Sequence, residues 1–406
     1  MTTPTRDDLS AVIIQTTEAL LRLRGEAAAA SLATQLVRRF DALDDAGVDR
    51  YLTYLLHELG PDSAAIDRAI VGYQTEPSQD AMADLADATE SRRLDLFRTI
   101  NTTTSGIDFL LTMRSALLDR RTSLPELRPV ERDLTHLLQS WFNRGFLTLR
   151  QLDWQTPAHI LEKLIEYEAV HEIAGWNDLR RRLAPDRRSF GFFHPSLPDE
   201  PIIFVEVALT EGMASSIQTL LTTEPSATNE STDTAIFYSI TNCQRGLRGI
   251  SFGSFLIKQV TALLQSELPQ LVTFATLSPI PGFANWLSEH EPSTDVANQQ
   301  DLEGACARYL LAARRGTLPV DPVARFHLRN GARLERLNWM GDTSDKGMAE
   351  SHGMLVNYRY SGQDFEANHD ALVLDGIVIA HSDVIAAAGD ELDARCVSSS
   401  PAGVVG

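Results

Sequence analysis

Three short stretches of this chain carry residues whose types and spacing could do chemistry. In Thr273–Phe283 an apolar strand-like run ends in Ser278, and Pro279 and Pro281 stiffen the exit. This would hold a hydroxyl in one place at a strand end. No Gly-x-Ser-x-Gly elbow surrounds the serine, so no hydrolase triad is indicated. From spacing alone the simpler reading is a serine capping a turn. In Phe326–His327–Leu328–Arg329–Asn330–Gly331–Ala332 the chemistry would belong to His327. An imidazole with its ordinary pKa of about 6.5 can give or take a proton near neutral pH, although a lone histidine more often serves structure. The third stretch is the Gly-rich run Gln244–Gly253, with Arg245 and Arg248 in it. Set between a strand and a helix, it allows close backbone approach and offers helix N–H groups to a phosphate. It matches neither a Walker loop nor a dinucleotide Gly-x-Gly-x-x-Gly, and a tight turn explains it equally well.

The elements that must position these residues follow from periodicity. Apolar residues recur at three- and four-residue steps from Leu9 to about Phe142, as in Ile13, Leu20, Leu23 and again in Leu110, Met113, Leu117. This predicts a helical first third, broken by Gly60–Pro61, Pro77–Ser78 and Pro125. The stripe Tyr51–Leu59 reads as core rather than as a partner surface. Helices are expected near Leu134–Phe142 and His159–Tyr167. Runs of β-branched and aromatic residues at Phe190–Phe193 and Ile202–Thr210 then predict strands, with Pro198–Pro201 as the turn between them. Thr222–Thr234 reads as an exposed, mobile loop. A β-loop-α-β unit follows, made of Ala235–Ile240, the glycine loop, a helix from Phe255 to Leu268, and Leu271–Leu277. Further on, Ala305–Arg315 and Val323–Asn330 read as helices. Ala332–Trp339, Leu355–Tyr360 and Leu372–Ala380 read as strands or short helices.

Composition narrows the function. With 406 residues, 43% of them hydrophobic, the chain can bury sizeable cores in two or three domains. A formal charge of −19 argues against nucleic acid as a partner, so an anionic ligand needs a local basic site. No run approaches the ~20 apolar residues of a membrane span. With no signal-peptide pattern, the expectation is a cytoplasmic protein. Cys243, Cys306 and Cys396 have no Cys-x-x-Cys spacing, and His194, His290 and His369 no His-Glu-x-x-His, so neither a disulfide framework nor a metal site is expected.

The glycine loop resembles the pyrophosphate-binding loop of GNAT-like acyltransferases. Phe326–Ala332 is similar to their Phe-Tyr-x-x-x-Gly-Phe segment, with His327 at the tyrosine position. Taken with Phe204–Thr210, Gly246–Ile250, Leu277–Phe283, Ala324–Ala332, Phe192–Pro195 and Val356–Tyr360, the chain resembles the malonyl-CoA decarboxylase family from the helical region to about Tyr360. That resemblance implies an α+β fold, with a helical N-terminal domain followed by a GNAT-like mixed α/β acyl-CoA-binding domain. The expected boundaries are 1–135 for a helical, oligomer-forming domain, 136–395 for the catalytic domain and 396–406 for a tail. It also implies that Ser278 and His327 are catalytic and that Arg248, Gly249, Ile250, Ser251, Phe252, Gly253 and Ser254 form the coenzyme A loop. Malonyl-CoA would be the substrate and acetyl-CoA and carbon dioxide the products. No metal or other cofactor is expected, because coenzyme A is part of the substrate, and the protein would be a homo-oligomer, dimer or tetramer. An acyltransferase that keeps the same pocket and a non-catalytic coenzyme A sensor are the alternatives.

Overall fold

The computed structural model describes residues 6–23, 26–224, 231–250, 255–389 and 396–400. Two compact units divide the chain. The first takes the described residues of Met1–Leu147 together with His194–Pro198 and Gln244–Ser251, and the second takes the rest.

The first unit is built of helices, as the 3.6-residue spacing predicts. They are α1 (Arg6–Arg22), α2 (Glu26–Asp41), α3 (Asp45–His57), α4 (Ser63–Thr75), α5 (Gln79–Thr89), α6 (Arg92–Asn101), α7 (Gly106–Asp119) and α8 (Arg128–Trp141). Asp44, Asp62 and Ser78 cap α3, α4 and α5 by accepting hydrogen bonds from first-turn amides. The Tyr51–Leu59 stripe is core, with Tyr51, Leu52, Leu55 and Leu59 fully buried. Phe40 packs edge-on against both Tyr51 and Phe109, and the Tyr51 hydroxyl lies 3.0 Å from Thr17 Oγ1. A buried phenol keeps a hydrogen-bond partner in this way.

The second unit is a mixed sheet flanked by helices, and the expected α+β organisation is what the structure shows. Its strands are β1 (Thr148–Leu152), β2 (Arg187–His194), β3 (Leu197–Thr210), β4 (Thr234–Asn242), β5 (Thr273–Thr276) and β6 (Ser278–Pro279). After a two-residue hairpin, β7 (Arg314–Arg315) and β8 (Leu318–Pro319), come β9 (Arg333–Asn338) and β10 (Leu355–Tyr360). The sheet order is β1-β2-β3-β4-β5-β10-β6, with β9 paired to β10. β4 and β5 run parallel, with Ala235 opposite Phe274, and the helix Phe255–Glu267 lies between them in sequence. The predicted β-loop-α-β unit is therefore present. Ala208, Ile236, Tyr238, Ala275, Leu277 and Leu355 form a core on this sheet.

One expectation fails. Pro198–Pro201 is not a turn, because β3 begins at Leu197 and continues through it. The fixed φ of proline suits extended backbone, so proline can enter a strand wherever no ladder N–H is needed. Glu206, inside an apolar run of that strand, is fully buried and accepts a hydrogen bond from Arg182 Nη1 at 2.9 Å. Burial pushes its carboxyl up to about 8 against the opposing pull of Arg182. Thr222–Thr234 joins a helix to β4, and residues 225–230 of that loop lie outside the described residues.

Candidate active site

Ser278 opens the two-residue strand β6, which the chain reaches by bending at Leu277 after β5. β10 spans that bend. Its Arg359 and Tyr360 pair with Ala275 and Phe274 of β5, and its Val356 and Leu355 pair with Ser278 and Pro279 of β6. Asn357 sits at a register shift in β10. Its amide donates to the Thr276 carbonyl at 2.6 Å and accepts from Asn338 at 2.8 Å. With Asn357 fully buried, these bonds satisfy groups that would otherwise be costly.

His327 comes from the helix Pro322–Arg329. Asp321 starts that helix by accepting from the amides of Val323 and Ala324 at 2.9 and 2.8 Å, with Pro322 at its first position. Gly331 ends it at φ +80°, and Ala332 N–H returns to the His327 carbonyl. The helix is therefore pinned at both ends, with the histidine in its last turn.

These elements bring the two candidate residues together. Ser278 Oγ lies 3.2 Å from His327 Nε2 and donates to Thr276 Oγ1 at 2.8 Å. Thr276 Oγ1 also accepts the Tyr358 amide at 3.1 Å. On the far side of the ring, His327 Nδ1 lies 2.8 Å from the Tyr360 hydroxyl. The Tyr358 ring stacks on the imidazole, with centroids 4.7 Å apart. Ser278 and His327 are each only 5% exposed. Removal from water disfavours the imidazolium and pushes it down to about 3, so burial holds the ring neutral. Burial raises both tyrosine hydroxyls well above their usual range. The arrangement offers one hydroxyl and one imidazole to a ligand, in a setting where charge is weakly screened.

Sequence reasoning missed Thr276, Tyr358 and Tyr360 as members of the site. One signal was available: tyrosines two apart on a strand share a face. Of the expected coenzyme A loop, Arg248, Gly249 and Ile250 follow a 3-10 turn at Arg245–Leu247 and belong to the helical unit. Arg248 is exposed, Gly249 has φ +82° and Ile250 is buried. Ser251, Phe252, Gly253 and Ser254 lie outside the described residues. The histidines given no role have structural partners. His194 packs on Phe142, His290 stacks on Trp286, and His369 Nδ1 meets the Arg329 carbonyl.

Comparison with known proteins agrees with the motifs. The malonyl-CoA decarboxylase N-terminal domain matches residues 59–142, and the C-terminal domain matches residues 145–301 and 289–396. The mitochondrial malonyl-CoA decarboxylases of Anser anser anser and Mus musculus are 36% and 37% identical to the chain over 68% and 65% of its length. The match spans 65% and 64% of the length of those curated relatives. Crystal structures of malonyl-CoA decarboxylase from Rhodopseudomonas palustris and Agrobacterium vitis superpose with a TM-score of 0.88 each, at 45% and 46% identity. They cover 92% and 93% of this chain, and 98% and 100% of their own. With both domains matched along most of its length, the chain belongs to the malonyl-CoA decarboxylase family.

Proposed function

We propose that this protein converts malonyl-CoA to acetyl-CoA and carbon dioxide. The observation that carries the reading is a buried imidazole held between Ser278 and Tyr360, in a chain of this family. Ser278 donates to the malonyl carboxylate and orients the breaking bond perpendicular to the thioester plane. When the C–C bond breaks, its electron pair enters the thioester carbonyl as an enolate and carbon dioxide leaves. The thioester itself accepts the electrons, so no further cofactor is called for. The enolate carbon then takes the proton from His327 Nε2, and solvent restores it. Burial by itself favours the neutral ring, but a substrate carboxylate beside it favours the imidazolium and so readies the donor. In the imidazolium both ring nitrogens carry a proton, so Nδ1–H can donate to the Tyr360 hydroxyl, and loss of the Nε2 proton leaves a neutral ring that keeps that bond.

In the same reading Arg248–Ser254 bind the coenzyme A phosphates, the protein resides in the cytoplasm, and it works as a homo-oligomer assembled through its helical unit. In this structure no described helix is long and apolar enough to cross a membrane. The α4–α5 pair supports the assembly, because neither helix buries a single residue within the chain.

The deciding experiment follows acetyl-CoA, carbon dioxide and free thiol together from malonyl-CoA and purified protein. Equal acetyl-CoA and carbon dioxide without thiol is the expected result. Thiol release would indicate acyl transfer or hydrolysis, and absence of product would leave a sensor. Ser278→Ala and His327→Asn should each lower kcat by ~10²-fold or more while the protein stays folded.

A further inference from the structure

Outside the Ser278–His327 site, the described residue cluster that most needs explaining lies wholly within the helical unit. A cavity of about 740 Å³, within the size range of small-molecule sites, is lined by α7, α8, the turn between them and the Arg248–Gly249 backbone. Arg114, Arg121, Arg128, Arg132 and Arg248 all line it, against Glu131 as the sole carboxylate among the described lining residues. Across the whole chain acidic residues outnumber Lys and Arg by 55 to 36, so this wall reverses the protein's charge.

The arginines divide into two sets. Arg114 is buried and structural, bonding Glu131, Thr135 and the backbone carbonyls of Gly246 and Arg248. It thereby fixes the Arg248 backbone at the cavity wall. Arg121 reaches Glu131 at 3.4 Å. The remaining three, Arg128, Arg132 and Arg248, are exposed and make no ion pair among the described residues. Two of them occupy the first turns of α8, which begins at Arg128. Cations at the positive end of a helix dipole are unfavourable unless an anion sits among them. Gly249, at φ +82° with open space where a side chain would stand, leaves the backbone accessible to a ligand.

We infer that this cavity is a binding site for an anion with adjacent phosphate groups, held by Arg128, Arg132 and Arg248. Planar guanidinium forks match phosphate oxygens in pairs, and three unpaired cations ask for more negative charge than one carboxylate carries. Such phosphates could belong to the nucleotide end of a coenzyme A thioester or to a separate phosphorylated metabolite. Only the first source rests on the function proposed above.

The test titrates the full-length protein with inorganic pyrophosphate and with adenosine 3′,5′-bisphosphate by calorimetry. Saturable binding is expected, weakened ~10-fold or more in an Arg128→Ala/Arg132→Ala double variant and partly kept in Arg128→Lys/Arg132→Lys. Both positions are exposed and unpaired, so the thermal midpoint should not move. No saturable binding in the unaltered protein, or equal binding in the alanine variant, would overturn the proposal. A raised KM for malonyl-CoA at unchanged kcat in that variant assigns the phosphates to the substrate. An unchanged KM with pyrophosphate binding lost assigns them to a second ligand. The titration does not depend on turnover, so a chain that failed to decarboxylate malonyl-CoA would leave its result standing.

Discussion

His327 sits between two hydroxyls in a site that water barely reaches, and that burial governs its protonation. The folded-state imidazolium is pushed down to about 3, against an ordinary value near 6.5. Between these values the unfolded chain binds a proton that the folded chain refuses, so stability falls as pH drops from about 6.5 toward 3. His171, which burial pushes down to about 4, acts in the same direction over an overlapping range. The denaturation midpoint of His327→Asn should therefore depend less steeply on pH in that window than that of the unaltered protein. Parallel curves would mean that His327 is not held neutral. In the proposed mechanism Tyr360 would act as a positioning residue, since its hydroxyl lies within hydrogen-bond distance of the far nitrogen of the ring. Removing that bond with Tyr360→Phe forfeits about 1 kcal/mol of ring orientation, or roughly fivefold in kcat, with KM nearly unchanged. Its pH–rate profile should also shift, because the Nδ1 partner helps set the basicity of the ring. An unshifted profile together with unchanged kcat would reduce the tyrosine to packing.

At the scale of elements, the helix that carries His327 is tied to the rest of the site through the glycine just past its C-terminal end. A side chain added at Gly331 would place its Cβ 2.2 Å from the Phe365 carbonyl oxygen, at a φ of +80° that already disfavours any other residue. The helix Phe365–Asp375 would have to move. Phe365 stacks on Tyr360, with centroids 5.4 Å apart, so the displacement would be felt at His327. Gly331→Ala should thus lower stability by about 2 kcal/mol or more and lower kcat as well, seen together in chemical denaturation and steady-state rates. Full activity would show that the two helices adjust independently. The same junction shows what was legible in sequence. Asp321–Pro322 and Gly331 punctuate the helix locally, and its predicted extent, Val323–Asn330, is close to the observed one. Leu355–Tyr360 was legible only as a strand or a short helix, and the structure makes it a strand. That this strand spans the bend between β5 and β6, and so turns Tyr358 and Tyr360 toward a histidine on another element, depends on pairing between residues far apart in sequence. Periodicity carries no information about such pairing. Pro198–Pro201 misled for a related reason, since proline marks a turn only where the ladder needs its missing N–H.

Across the whole molecule, burial is unevenly shared among the helices. α1, α2, α3, α6, α7 and α8 all contribute buried residues to the core, yet no residue of α4 or α5 is more than half-buried, and Ile70, Val71 and Met82 stay 37%, 61% and 46% exposed. Two helices that pack on each other without a core beneath them gain little from folding, since amphipathic helices draw most of their stability from an apolar face they cover. A second copy of the chain would supply that cover, and apolar residues flanked by acidic ones fit an interface more readily than open solvent. If the proposed homo-oligomer uses this pair, Ile70→Asp/Val71→Asp should reduce the mass seen by light scattering to that of the monomer. The helix content of the rest of the chain should be retained, because neither side chain contributes to the intrachain core. An unchanged mass in the double variant would move the assembly surface elsewhere on the protein, and a monomeric mass in the unaltered chain would remove the assembly itself. In either case the Ser278–His327 geometry would be unaffected, because every residue in that network comes from the sheet-containing unit.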